Sequence, residues 1–199
     1  MYKKETYYSE CYVTIGLVVV NLIVFFLYEI IGSNLDVEFM LNHGAMYTPY
    51  IKDCSEWYRY FTALFLHFGI RHLLNNMLLL YVLGNYLERY LGRVKFLILY
   101  IASGIGANII SEILAFQQGK TVVSAGASGA VFAVLGGLIW VILANRGRLE
   151  NLTAGKMCFM AALALYYGFS GSGVNNAAHV AGLVCGFVLS VLLYRKQAY

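Results

Sequence analysis

The chain has 199 residues, 60% of them hydrophobic and only 12% charged, with one proline and a net charge of +4. A soluble domain carries about a quarter charged residues, so a water-covered globule is excluded and lipid must cover most of this surface. No basic run interleaved with aromatics is present, so nucleic acid is not expected as a partner.

The first apolar run covers residues 12–31, behind Lys3 and Lys4. About 20 residues suit a spanning helix. No small-x-small cleavage site follows, so the run is read as a retained helix rather than a signal peptide. A long connection, about 32–60, comes next. It holds Asp36, Glu38, Asp53, Glu56 and the aromatic-rich "EWYRYF". Connections of this length are usually functional or structured, and aromatics suit the membrane interface.

Further apolar runs predict spans at about 61–83, 96–116, 127–144, 155–169 and 177–194. With no linker and no repeat, the expectation is one all-α domain over 1–199, a polytopic bundle of six transmembrane helices. Six spans put both termini on one side. With cytoplasmic termini that side holds Lys3, Lys4, Arg89, Arg93, Lys95, Arg146, Arg148, Lys156, Arg195 and Lys196, against Lys52, Arg59, Arg71 and Lys120 opposite. The positive-inside rule then places the termini in the cytoplasm. The second, fourth and sixth spans run from outside to inside.

Polar residues inside spans are costly and tend to be functional. The second span carries "HFGIRHLLNN", the fourth Ser128, and the sixth "NNAAHVAGLVCG". His72 lies 17 residues before Arg89, Ser128 18 before Arg146, and His179 16 before Arg195. At 1.5 Å per residue these are depths of about 26, 27 and 24 Å from the inner charges. Three polar groups on three helices thus share one height in the outer half of the bilayer. His72 and Asn76 are i and i+4 on one face. Asn75 points about 100° away from Asn76 and is left out. Gly182 and Gly186 form a small-xxx-small pair that admits a close neighbouring helix.

A serine among glycines is by default a packing residue. Ser128 with a base at the same depth has another reading, that of an activated nucleophile. His179 is the candidate base. The two aspartates, Asp36 and Asp53, lie in the outer connection, so a Ser-His dyad is expected rather than a triad. The Ser128 N–H in the first turn of its helix, His72 and Asn76 are candidate oxyanion donors. His67 and His43 are expected to be ordinary residues of the mouth and surface. No H-E-x-x-H motif occurs. Cys11, Cys54, Cys158 and Cys185 lack ligand or redox spacing. No metal or other cofactor is expected.

"GASGAVF", "HLLNN" and "AHVAGLVCG" in a six-helix chain resemble the rhomboid family of intramembrane serine proteases, over about residues 57–194. The resemblance implies Ser128 as nucleophile and His179 as base. It implies His72 and Asn76 at the oxyanion site, with Gly126 and Gly129 flanking the serine. Its implied substrates are single-span proteins of the bilayer, cut within or beside the span. The fifth span and "GFSGSGVNN" would form a gate and cap. Where many relatives carry tyrosine one turn after the nucleophile, this chain has Phe132. Trp57 and Arg59 are separated by Tyr58, where the family signature is often adjacent Trp-Arg. The simple six-helix form is similar to bacterial members, which implies a bacterial plasma membrane and an active site facing its outer side. The rival expectations are a catalytically inactive rhomboid-like protein that binds or traffics membrane proteins, and a small transporter. The apolar inner halves of the fourth and sixth spans argue against the transporter.

Overall fold

The computed structural model describes residues 11–121, 123–170 and 175–195, with backbone only at 169 and 170. Among them the helices are α1 (Tyr12–Ile31), α2 (Val37–Asn42), α3 (Thr48–Asp53), α4 (Arg59–Thr62), a 3-10 turn (Ala63–Phe65), α5 (Ile70–Leu91), α6 (Arg93–Gln117), α7 (Ser128–Ala144), α8 (Ala154–Ser170) and α9 (Asn176–Leu193). Two short antiparallel pairs join β1 (Met46–Tyr47) to β2 (Val123–Ser124) and β3 (Arg148–Leu149) to β4 (Leu152–Thr153).

Helix α7 is the centre. Every residue from Gly129 to Ile139 is buried, as an all-apolar helix requires. It packs against α5, α6, α8 and α9, most extensively against α9. That seam is made by glycines. A Cβ added at Gly182 would overlap the Gly129 carbonyl, one at Gly186 the Ala133 carbonyl, and one at Gly136 the Leu183 carbonyl. The two backbones therefore touch at these positions, where close van der Waals contact is possible, and the Trp140–Phe187 ring pair packs beside them.

Helix α1 leans on α5 through a carboxylate. Glu88, on α5, is buried and accepts the Val13 N–H at 3.0 Å, the Thr14 N–H at 2.7 Å and the Thr14 hydroxyl at 2.7 Å. The first N–H groups of a helix have no partner within it, and its positive end favours an anion. Glu88 supplies both.

The expected second span is not one helix. Its first part, Arg59–Phe65, meets α5 at a 90° bend. The chain turns at Leu66–Gly69, where Gly69 has φ 81°, a left-handed value that glycine tolerates. Beyond the bend α5 continues past residue 83 to Leu91, because α1 shelters Glu88. The helices at the other expected spans begin and end within three residues of the expected bounds. By length and composition α1, α6 and α9 can each cross a membrane, and the bent pair makes a fourth if it is one broken span; α7 is apolar but shorter.

The long connection between α1 and the bent pair is ordered by specific contacts. Asp36 caps α2 through the Glu38 and Phe39 N–H groups. The Arg59 guanidinium is buried and donates to the Leu41 carbonyl at 2.6 Å, the Ala45 carbonyl at 2.8 Å and Glu56 at 2.6 Å. The Tyr58 hydroxyl and then Arg59 hold the Glu56 carboxyl below its ordinary range. His43, expected at the surface, is half-buried against Tyr28 and Phe39, its Nδ1 2.7 Å from the Phe39 carbonyl. The β1–β2 pair sets Met46 opposite Ser124 and Tyr47 opposite Val123. The connection is thereby stitched to the segment that feeds α7.

Candidate active site

Three residues bring the chain from the end of β2 to Ser128. Ser124 ends the strand and Ala125 is buried. Gly126 donates its N–H to the Ala63 carbonyl at 2.9 Å with φ 152°, a value that favours glycine. Ala127 donates its N–H to His67 Nε2 at 3.3 Å. Ser128 then opens α7, half-buried. Its N–H stands in the first turn, where no intrahelical acceptor exists.

His72, on the first turn of α5, packs over Gly126. A Cβ there would lie 2.7 Å from the His72 Cε1 and 2.9 Å from its Nε2. Gly126 is thus needed for its backbone angle and for space. One turn further, Asn76 is buried and its Nδ2 has no partner among the described residues. Asn75 is exposed.

His179 is on the first turn of α9, 8% exposed. Its ring stacks on Phe132, with centroids 4.3 Å apart and planes 11° apart. Phe132 follows Ser128 by one turn on the same face of α7. The Gly182 and Gly186 contacts draw α9 onto α7 on that side. Gly129 completes the approach: a Cβ there would meet the Ala107 Cβ at 3.1 Å and the Ala178 carbonyl at 3.7 Å. The Ser128–His179 hydrogen bond expected from the sequence is not among the hydrogen bonds of the described residues. The His179 Nδ1 is buried without a partner among them.

The arrangement offers a hydroxyl at a helix N-terminus, an imidazole packed one turn below it, and an unpaired amide donor on a third helix. That is the inventory of acyl transfer. Asp36 caps α2 and Asp53 ends α3. Among the described residues no three His, Cys, Asp or Glu side chains group as ligands for a metal ion. Residues 171–174 of the expected cap lie outside the described residues.

Two residues were missed. His67, expected at the mouth, is completely buried, with its ring 5.2 Å from that of His72 in an edge-to-face contact. Its signal was the glycine two residues later, which breaks the helix and turns His67 inward. Asn175 caps α9. Its signal was an asparagine just before an apolar run, an ordinary helix start.

A family model described as the rhomboid domain matches residues 54–196. The chain is 35% identical to rhomboid protease GluP of Bacillus subtilis over 181 residues, 91% of this chain and 34% of GluP. It is 34% identical to the putative rhomboid protease YdcA of the same organism over 72% of this chain and 70% of YdcA. It is 31% identical to rhomboid protease AarA of Providencia stuartii over 89% of this chain and 71% of AarA. The chain thus spans about a third of the length of GluP and over two thirds of YdcA and AarA.

Proposed function

The chain belongs to the rhomboid family, and from that premise we propose that it is an intramembrane serine endopeptidase working through a Ser128–His179 dyad. The observation that carries the reading is the stack of His179 on Phe132, one turn from Ser128, across a seam of touching backbones.

His179 accepts the Ser128 proton as Oγ attacks the scissile carbonyl. The Ser128 N–H, His72 and the unpaired Asn76 amide stabilise the resulting oxyanion. His179 then gives its proton to the leaving amine, and an acyl-enzyme remains. Water, activated by His179, hydrolyses it. No carboxylate orients the imidazole in this scheme. The Phe132 ring and the walls of α9 hold it instead. Substrates are single-span membrane proteins, cut within or beside the span. The chain crosses a bacterial plasma membrane six times with cytoplasmic termini, and the site faces the outer side.

With no Ser128–His179 hydrogen bond among the described residues, a second reading is an inactive member that binds membrane proteins. The protease reading stands ahead of it. Catalytic hydrogen bonds are often long before substrate binds, and both reacting residues are retained. Cleavage of a membrane-embedded reporter separates the two. Wild type is expected to cut and Ser128→Ala to leave the reporter whole, with the product end sequenced. Equal cutting by both overturns the dyad, and an intact reporter with wild type supports the inactive reading.

A further inference from the structure

We propose that Asn175 is a positioning residue that sets the stance of His179 relative to Ser128; its consequence for cleavage rests on the protease reading above. Asn175 caps α9 in the ordinary way. Its Oδ1 accepts the Ala178 N–H at 3.1 Å, and its backbone carbonyl accepts the His179 N–H at 3.2 Å. A cap needs nothing more. The same side chain reaches two further elements. Ser111, on α6, donates its hydroxyl to Oδ1 at 2.8 Å. The Asn175 Nδ2 donates to the Ser124 Oγ at 3.4 Å, on β2 and four residues before Ser128. One planar amide therefore brackets the start of the helix that carries the base, the strand that leads to the nucleophile, and α6 between them.

The glycine seam makes such a bracket necessary. Gly182 and Gly186 set how closely α9 approaches α7. Backbone contact at the glycines leaves rotation of α9 about its own axis to be resisted by side chains, Trp140 on Phe187 farther along the seam and Phe132 on His179 at the site itself. His179 stands on the outer side of that seam. A turn of about 20° would swing a side-chain tip, about 6 Å from the helix axis, by about 2 Å. Misplacement of reacting groups by about 1 Å can cost about 100-fold in rate. The Asn175 bracket holds the outer turn of α9 from two sides and blocks that rotation.

The experiment separates positioning from capping. Asn175→Ser keeps an N-cap oxygen but is too short to reach Ser111 and Ser124 together. Ser111→Ala and Ser124→Ala leave the cap intact. Each variant is expected to lower kcat on the membrane-embedded reporter roughly 10- to 100-fold, with KM and Tm near wild type. Asn175→Asp, whose carboxylate can accept from both serine hydroxyls and from the Ala178 N–H, is expected to restore most of the rate. The double variant Asn175→Ser with Ser124→Ala should be no slower than Asn175→Ser, because both remove the same bond. Wild-type kcat in Asn175→Ser, or losses that multiply in the double variant, overturn the proposal. Hydrogen exchange supplies a readout without substrate. Asn175→Ser should speed exchange in residues 123–130, and unchanged exchange there overturns the bracket. Faster exchange there, in a protein whose wild type cuts nothing, leaves the bracket standing and removes the protease reading.

Discussion

The imidazole of His179 lies flat on the ring of Phe132, centroid to centroid 4.3 Å. A tyrosine at 132 would offer the same face with a hydroxyl beyond it. This chain uses the face alone. Stacked aromatic pairs contribute about 0.5–1.5 kcal/mol beyond their burial, or up to about tenfold in rate if all of it bears on the reactive geometry. Phe132→Leu, which keeps an apolar filling, should lower kcat by up to about tenfold with KM unchanged, in steady-state cleavage of the reporter. Phe132→Tyr should retain the rate.

The proposed dyad has a chemical signature. Fluorophosphonate should label Ser128, mapped by mass spectrometry, and His179→Ala should abolish the labelling. Each of Ser128→Ala and His179→Ala should lower kcat on the order of 10⁶-fold, as single removals from a serine–histidine unit do. His179 serves as base only when neutral, so kcat/KM should fall on acidification. A rate that climbs as the pH drops two units below about 6.5, the ordinary histidine value, contradicts its role.

The seam predicts a contrast between glycines. Gly186→Ala puts a methyl into the Ala133 carbonyl, and α9 must move off α7. Overpacking of this kind costs about 1–3 kcal/mol, so Tm in detergent should drop and cleavage with it. Gly16, on α1, has open space where a Cβ would sit. Gly16→Ala should raise stability by about 0.5–1 kcal/mol through helix propensity, with cleavage unchanged. Equal effects from the two would refute the backbone-contact account.

Glu88 predicts a local unfolding. Glu88→Ala strips the buried Thr14 N–H and hydroxyl and the part-buried Val13 N–H of their acceptor. Each unsatisfied group costs about 1–3 kcal/mol. Residues 12–20 should exchange their amides faster, while 128–139 should stay protected, as read by hydrogen exchange. Protection of 12–20 at the wild-type level would mean that α1 is held by its apolar contacts alone.

The long connection after α1 has a pH dependence with a defined sign. The Tyr58 hydroxyl and Arg59 hold the Glu56 carboxyl below its ordinary 4.5. A depressed folded value means stability that is full above the unfolded pKa and lost as pH falls through the folded one. Between about 4.5 and that lowered value, Tm of the wild type should decline relative to Glu56→Gln. A constant Tm difference over this window would show that the pair contributes nothing.

The sequence made the transmembrane frame legible because lipid forces long apolar runs. The expected first span and α1 share the bounds 12 and 31. The break before α5 was hidden because Leu66, Phe68 and the apolar residues around them continue a helical composition. Only Gly69, at its left-handed angle, marked it. At the candidate site, the expectation came from counting residues back from the charges that end each helix. It led to His72, which packs over Gly126, and to His179, which packs on Phe132. Bonds between distant elements were not readable. Nothing near Glu88 in the sequence points to its partners, which lie 74 and 75 residues upstream. Asn175 and Ser124 are 51 residues apart. No local pattern encodes such pairs. The two-residue β1–β2 pair is likewise too short to leave an alternation in the sequence.

The α7–α9 seam also bears on how such a chain can diverge. Where Gly182 meets Gly129, Gly186 meets Ala133 and Gly136 meets Leu183, at least one side of each contact has no side chain. A contact between side chains can drift by paired exchanges, one residue growing as its neighbour shrinks. A contact made of backbone has nothing to exchange. Descendants of this sequence must carry the seam forward unaltered and record their history on the faces of α1, α5 and α8 that meet lipid.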